Sequence, residues 1–394
     1  MKEKVCLEKL RALQIPSLSL IKEKPLTDEE LIHLLSPLPE IIPDTLIIVN
    51  DADRSTPTRR IINLLRIMGK LSHPVKFMIA TGTHKPPIPE QFESLTGCLP
   101  EDQVLIHDCS LKSQHEYKGI TQRGTSIWID KRIFDSPQIL TINGVEPHYF
   151  AGFTGGIKSI IPGLSLKETT ALNHRWALDP NARVMRTNDN PLFEDLWEAG
   201  GKIISLENIW SIQIVNEQEQ IFHCSIGKLK QAFNKATDNA RKFYGIQLKK
   251  KVNLFISFVQ SPLNETLYQA QKAIENVKSG ILDGGNFVLI ANCNRGIGNT
   301  AFFEKIIQCR QNHLDLSTFT TSNYQFGDHK AFYWVDFISK HTIFYIGNLS
   351  ADICTQIGIK KINFEDLFGL IQNEKERSEI LVDEAGGFTA LEVD

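Results

Sequence analysis

From Thr45 onward the chain alternates short β-branched runs with stretches whose apolar residues recur every three or four positions, the pattern of an α/β fold with parallel pairing. Thr45–Val49 reads as a strand. Ser55-Thr56-Pro57 then offers a hydroxyl cap and an early proline for a helix whose inner face is Ile61, Ile62, Leu64, Leu65 and Met68. The unit repeats with Val75–Ala80 as strand, a turn at Thr81-Gly82-Thr83-His84, and a helix from about Ile88 to Thr96 stopped by Gly97. Val104–His107 and Ile139–Ile142 are further strands. Between Gly144 and Gly163 lie five glycines and two prolines, an irregular segment of the kind that carries function. Ser165 and Glu168 have the spacing of a capping box, opening a helix that runs through His174 to about Leu178.

Asn190-Pro191 starts the next helix and Gly200-Gly201 is expected to end it, with Ile203–Val215 and Gln220–Ser225 as paired strands. Leu229–Tyr244, interleaved with Lys and Arg, reads as a solvent-facing connector helix. From Val252 the alternation restarts, with strands at Val252–Val259, Asn286–Ala291 and Thr342–Ile346. Helices near Glu265–Lys278, Thr300–Cys309 and His329–Ser339 separate them. The expected fold is therefore two doubly wound, Rossmann-like α/β domains with the active site in the cleft between them. Residues 1–250 form the first, possibly joined by 378–394, and 251–377 form the second.

Composition narrows the function classes. At 394 residues, with 42% hydrophobic and 23% charged residues, the chain has enough material for two cores and no disordered or collagenous bias. Its formal charge of −3 supplies no basic field for nucleic acid or an anionic membrane. The longest apolar runs are strand-sized, and the N-terminal residues do not read as a secretory signal, so a cytoplasmic address is expected. Seven scattered cysteines without a Cys-x-x-Cys pair read as reduced thiols.

Gly152-Phe153-Thr154-Gly155-Gly156-Ile157-Lys158-Ser159 invites a phosphate-loop reading, but a Walker loop needs Gly directly before Lys, where Ile157 stands. A packing turn between two α/β units explains the glycines as well. No Gly-x-Gly-x-x-Gly fingerprint follows a strand. His84 and His148 sit at loop mouths and His174 one helix further on, without the His-x-x-x-His spacing of a metal site built from one helix. Asp51 and Arg54 follow the first strand, where open α/β sheets bind ligands, and the bidentate grip of Arg suits a carboxylate. Gln269 and Lys272 are three apart on a helix and share a face.

In order along residues 45–275, these segments resemble the nickel-pincer lactate racemase (LarA) family. The resemblance rests on Asp51-Ala52-Asp53-Arg54, Ala80-Thr81-Gly82-Thr83-His84, the run Pro147–Lys158, Asn173-His174 and Tyr268-Gln269-Ala270-Gln271-Lys272. It implies a racemase or epimerase of a 2-hydroxy acid, lactate-like or larger. The implied cofactor is a nickel pyridinium-3-thioamide-5-thiocarboxylate mononucleotide, loaded by cofactor-synthesis proteins. It further implies Lys158 as the covalent tether, His174 as the nickel-binding imidazole and His84 and His148 as the acid/base pair. Arg54 and Lys272 become substrate anchors supported by Asp51 and Gln269, and Gly155 and Gly156 lie against the cofactor. The chemistry is coherent. A Cα–H beside a carboxylate is a very weak acid, so hydride removal assisted by a base on the hydroxyl is the easier route. Inversion then wants one base per enantiomer. Asp53 stands where the family has Thr, adding a negative charge that would weaken binding of anionic substrates if it pointed inward. The alternative is a nucleotide- or phosphate-binding α/β protein without racemase activity.

Overall fold

The computed structural model describes residues 2–19, 23–311, 319–374 and 376–393. The chain divides into two units, broken at residues 21/22 and 243/244.

In the unit 22–243 the strands are β1 (Leu46–Asn50), β2 (Lys76–Ala80), β3 (Gln103–Ile106), β4 (Ile139–Gly144), β5 (Ile209–Glu217) and β6 (Gln220–Lys228). They lie in the order β6-β5-β4-β1-β2-β3, all neighbours parallel except β6 against β5. Leu46, Ile47, Ile48 and Val49 of β1 are fully buried, as a parallel strand covered on both faces requires. The chain steps from β1 through β2 to β3 on one side, then crosses back to place β4 on the other side of β1. The loops after β1 and β4 therefore part, which makes a topological switch point.

Helices α1 (Thr58–Ile67), α2 (Lys167–His174), α3 (Pro191–Ile203) and α4 (Leu229–Tyr244) belong largely to this unit. Several expected signals act otherwise than their spacing suggests. No side chain caps α1, because the Thr56 hydroxyl bonds Asn50 Oδ1 at 2.9 Å. Nor does Ser165 cap α2: the N-cap is Leu166, and the Ser165 amide is drawn into a turn on the Pro162 carbonyl. Asn190 does cap α3, accepting the Phe193 N–H. That helix runs through Gly200-Gly201 to Ile203, since Gly200 is a close-packing position where a Cβ would strike Ile157. The expected connector α4 is amphipathic, with Leu229, Phe233, Ala236, Ala240 and Phe243 buried at helical spacing.

The other unit has β7 (Val252–Val259), β8 (Ile281–Ile290), β9 (Thr342–Ile346) and β10 (Ile380–Gly386), with β10 and β8 flanking β7 and β9 outside β8, all parallel. Between them come α5 (Leu267–Ala270), α6 (Lys272–Val277), α7 (Thr300–Gln311) and α8 (Asp328–Lys340). Both chain ends differ from expectation. The 378–394 segment supplies β10 beside β7, and Ser17–Leu18 add to the far side of β10. Cys6, Leu10 and Ile15 then share a core with Leu254, Ile256, Ile380 and Val382. Burial of those side chains and pairing between opposite ends of the chain place both ends in the second unit.

Among the described residues, no helix is long and apolar enough to cross a membrane.

Candidate active site

Three adjacent parallel strands of the first sheet, β4, β1 and β2, end at one edge, and the loops leaving that edge carry His148, Asp51 with Arg54, and His84. Asp51, directly after β1, is buried, and its Oδ2 lies 2.7 Å from His84 Nδ1. An ionised carboxylate can only accept, so this contact puts a hydrogen on Nδ1 and leaves the Nε2 lone pair of neutral His84 as its proton acceptor. Asp53 is more than half exposed, with Oδ2 3.5 Å from the same Nδ1. The turn bearing His84 is held by its own N–H on the Thr81 carbonyl and by Gly82 N–H on the Gly163 carbonyl at 2.9 Å. That second bond ties the turn to the end of the glycine-rich segment.

Across the switch point, Arg54 forms an ion pair with Glu146, two residues before His148. Glu146 is itself fixed by Thr154, whose hydroxyl receives the Glu146 N–H at 2.9 Å. The guanidinium read as a carboxylate anchor thus already has one carboxylate partner within the chain, and Glu146 is a member of the site that its sequence position alone did not mark.

His148 lies in a two-residue strand, Pro147–His148, paired antiparallel with Gly152–Phe153. Its Nδ1 accepts the Ala151 N–H at 3.3 Å, and its ring stacks on Tyr149. Phe150 is the organising side chain. Its ring centroid is 4.4 Å from that of His148, 5.0 Å from that of His174, and 5.6 Å from Lys158 Nζ. Contacts at these distances are ordinary edge-to-face and cation–π geometry. Three residues separated by up to 26 positions are therefore gathered round one buried ring.

The glycines have a steric explanation. Gly155 has φ +78°, and a Cβ there would lie 2.6 Å from Gln213 Oε1; Gly156 has φ +55° and abuts the Phe233 ring. The Gly156 N–H is given to Gln213 Oε1 at 2.9 Å and the Lys158 N–H to the Gly155 carbonyl. These bonds and contacts shape the tight turn that presents Lys158. Among the described residues, no three His, Cys, Asp or Glu side chains come together as a metal site.

Gln269 ends up in α5 and Lys272 begins α6, so the single helix expected there is two short ones. Both lie in the second unit. The Gln269 Oε1 atom is buried without a hydrogen-bond partner.

Comparison with known proteins now bears on this arrangement. Residues 19–185 match the family model described as the lactate racemase N-terminal domain. A lactate racemase from Thermoanaerobacterium thermosaccharolyticum is 27% identical over 266 residues, 66% of this chain and 62% of that protein. One from Lactiplantibacillus plantarum is 23% identical over 273 residues, 66% and 63%. The matched stretch thus spans less than two thirds of either relative. In fold, the lactate racemase apoprotein structure from T. thermosaccharolyticum superposes with a TM-score of 0.82 at 21% identity, covering 93% of both chains. A Thermotoga maritima crystal structure gives 0.76 at 17%, covering 95% of this chain and all of the other. Residues 19–185 are thus similar to a lactate racemase N-terminal domain, and the chain shares the fold of the lactate racemase apoprotein.

Proposed function

We propose that this protein is a 2-hydroxy-acid racemase or epimerase that works with a nickel-pincer mononucleotide. The observation that carries the reading is the convergence of His148, Lys158 and His174 on Phe150, beside a His84 held by a buried carboxylate. The residues suit the group. Lys158 offers an amine for a covalent tether and His174 an imidazole for the metal. The chain provides no cluster of three protein ligands among its described residues, so the nickel would bring most of its donors in the organic ring. When bound, that group would supply a reversible acceptor for the hydride on Cα.

The remaining work falls to side chains. His84 takes the substrate hydroxyl proton at Nε2 while Asp51 holds Nδ1–H and stabilises the imidazolium, the role a buried carboxylate plays for a catalytic histidine elsewhere. His148 serves the opposite enantiomer; because its Nδ1 accepts the Ala151 N–H, its neutral ring carries hydrogen on Nε2, and its turn as base requires that 3.3 Å contact to be released. Arg54, Gln269 and Lys272 anchor the substrate, with Arg54 sharing its charge between Glu146 and the incoming carboxylate. Gly155 and Gly156 fix the turn that presents Lys158. A plain phosphate-binding protein is the weaker reading, because the Gly156 amide it would need is already engaged by Gln213.

The test is to co-express the chain with the pincer-nucleotide synthesis enzymes, map adducts by mass spectrometry, measure nickel, and assay 2-hydroxy acids by chiral chromatography. The expected result is one adduct on Lys158, bound nickel, and interconversion of at least one pair of enantiomers or epimers. Loaded, nickel-containing protein that inverts none of a broad panel would overturn the assignment.

A further inference from the structure

Asp195, on α3, is buried to 1% exposure and faces neutral donors from two other segments. It accepts Thr121 Oγ1 at 2.5 Å, Thr125 Oγ1 at 2.8 Å and Asn173 Nδ2 at 2.8 Å. Asn173 is fully buried on the last turn of α2, immediately before His174, and its amide also donates to the Leu192 carbonyl at 3.1 Å. Both amide hydrogens are therefore spent on α3. The other end of the side chain is left unsatisfied, because Asn173 Oδ1 is buried without a hydrogen-bond partner. Flipping the amide would turn that oxygen toward the Asp195 carboxylate, so the carboxylate dictates the orientation at the expense of a buried acceptor. A carboxylate suits the position: it takes all three donors at once, whereas an amide would turn its own hydrogens toward one of them and force that group to accept.

We propose that Asp195 is the positioning residue for His174. Through Asn173 it locks the final turn of α2 to α3, and the Thr121–Thr125 turn braces the carboxylate from the other side. The rotation of that turn, and with it the placement of the His174 ring against Phe150, is set by a residue that touches neither ring. The consequence for metal binding rests on His174 being the nickel-binding imidazole, as proposed above. Outer residues that orient a metal-binding imidazole typically change metal affinity by about 10–100-fold when replaced.

The experiment compares the parent with Asp195→Asn, Asn173→Asp and the reciprocal double variant, in which the amide and carboxylate exchange places. Hydrogen exchange on the unloaded chain comes first. Asp195→Asn should speed exchange in residues 167–178 by about tenfold or more while β1, β2 and β4 keep parental rates, and the double variant should recover only part of the loss, because a carboxylate at 173 has no hydrogen for the Leu192 carbonyl. On loaded protein, Asp195→Asn should release nickel about 10–100-fold faster with the Lys158 adduct still attached. Parental exchange in 167–178, a loss shared by the whole unit that the double variant does not reverse, or parental nickel release despite local loosening would each overturn the proposal. If the parent carries neither adduct nor nickel while 167–178 still responds to the swap, the functional reading falls and the positioning of His174 stands.

Discussion

At the carboxyl edge of the first sheet, β1, β2 and β4 hand over to Asp51, Arg54, His84, Glu146 and His148. At the same edge of the second sheet the chain closes on itself through amides. Gln260, after β7, donates its N–H to the Gly386 carbonyl and its side chain to the Glu384 carbonyl, and Asn348, after β9, bonds Asn292 and Asn294. Both sheets are doubly wound and both have a switch point, between β1 and β4 in one and between β7 and β10 in the other. The winding provides a crevice; only the side chains placed there decide whether it can do chemistry. In the first sheet the strands end in titratable groups held apart by an ion pair. In the second, the loops after β7 and β9 are closed by the hydrogen bonds of Gln260 and Asn348.

The sharpest break of this contrast is at the two edges themselves. On loaded enzyme, His84→Gln or His148→Gln should lower turnover by about 10²–10⁴-fold, the usual worth of a positioned acid or base. Asp51→Asn should follow them, because an amide can hold His84 in the wrong tautomer. Gln260→Ala, the matching cut at the second switch point, should leave turnover within about twofold. A large loss from Gln260→Ala, or near-parental turnover in both histidine variants, would erase the distinction.

Next in size is the packing beneath each edge. A methyl group at Gly156 meets both a left-handed backbone and the Phe233 ring, so Gly156→Ala should cost about 3 kcal/mol in urea unfolding. Gly284, on β8, has φ +80° with nothing near its Cβ position, and there the same change should cost only about 1 kcal/mol. Equal costs would mean that Phe233 yields and that the turn under Lys158 is softer than its contacts indicate.

Much of this was legible in the chain. Strand and helix alternation, the restart near residue 250 and the cap at Asn190 all follow from local pattern. The hidden features have physical reasons. Thr56 and Ser165 look like caps because spacing cannot reveal that Asn50 takes the Thr56 hydroxyl, or that a tight turn on Pro162 holds the Ser165 backbone and leaves Leu166 at the N-cap. The Lys and Arg of α4 mask an inner seam at Leu229, Phe233, Ala236, Ala240 and Phe243. The pairing of Ser17–Leu18 with β10 joins residues more than 360 positions apart, which no local periodicity encodes. At the site, His84, His148, Lys158 and His174 stand out by residue type and motif, whereas Phe150, Glu146 and Asp195 gain their places only through three-dimensional neighbours.

The two units also carry opposite buried titrations. His107, after β3, lies 2.9 Å from Thr81 Oγ1 and 3.2 Å from His115 Nε2, and burial, reinforced by His115, lowers it from 6.5 to about 4. Between those values the unfolded chain binds a proton that the folded chain refuses, so this group withdraws stability as pH falls from 6.5 to 4, by about 3 kcal/mol in full. Asp383, on β10, is raised from 3.8 to about 6 by burial, against opposing hydrogen bonds from Thr389, Ala385 and Ser257. Here the folded chain keeps a proton the unfolded chain has lost, so its contribution is complete below 3.8 and is lost as pH rises to 6, again by about 3 kcal/mol. Hydrogen exchange in β1 and β7 at pH 7, 5.5 and 4 should show it. Relative to parent, His107→Gln should flatten the acid loss in β1, and Asp383→Asn should remove the acid gain in β7. The same sign of change in both strands would refute the opposition.

The smallest effect expected is at Asp53, and it follows from a contrast on one imidazole. Asp51 and Asp53 both face His84 Nδ1, at 2.7 and 3.5 Å, but the first is buried while the side chain of the second is 54% exposed. Water and salt screen the exposed charge, and exposed ion pairs contribute little. The position therefore does not by itself bar an anionic substrate. Asp53→Thr should change KM for a 2-hydroxy acid by less than about threefold, with the difference shrinking further as salt is raised from 0.05 to about 0.5 M. A tenfold fall in KM that persists at high salt would mean that Asp53 reaches the bound carboxylate and takes part in deciding which acids are accepted.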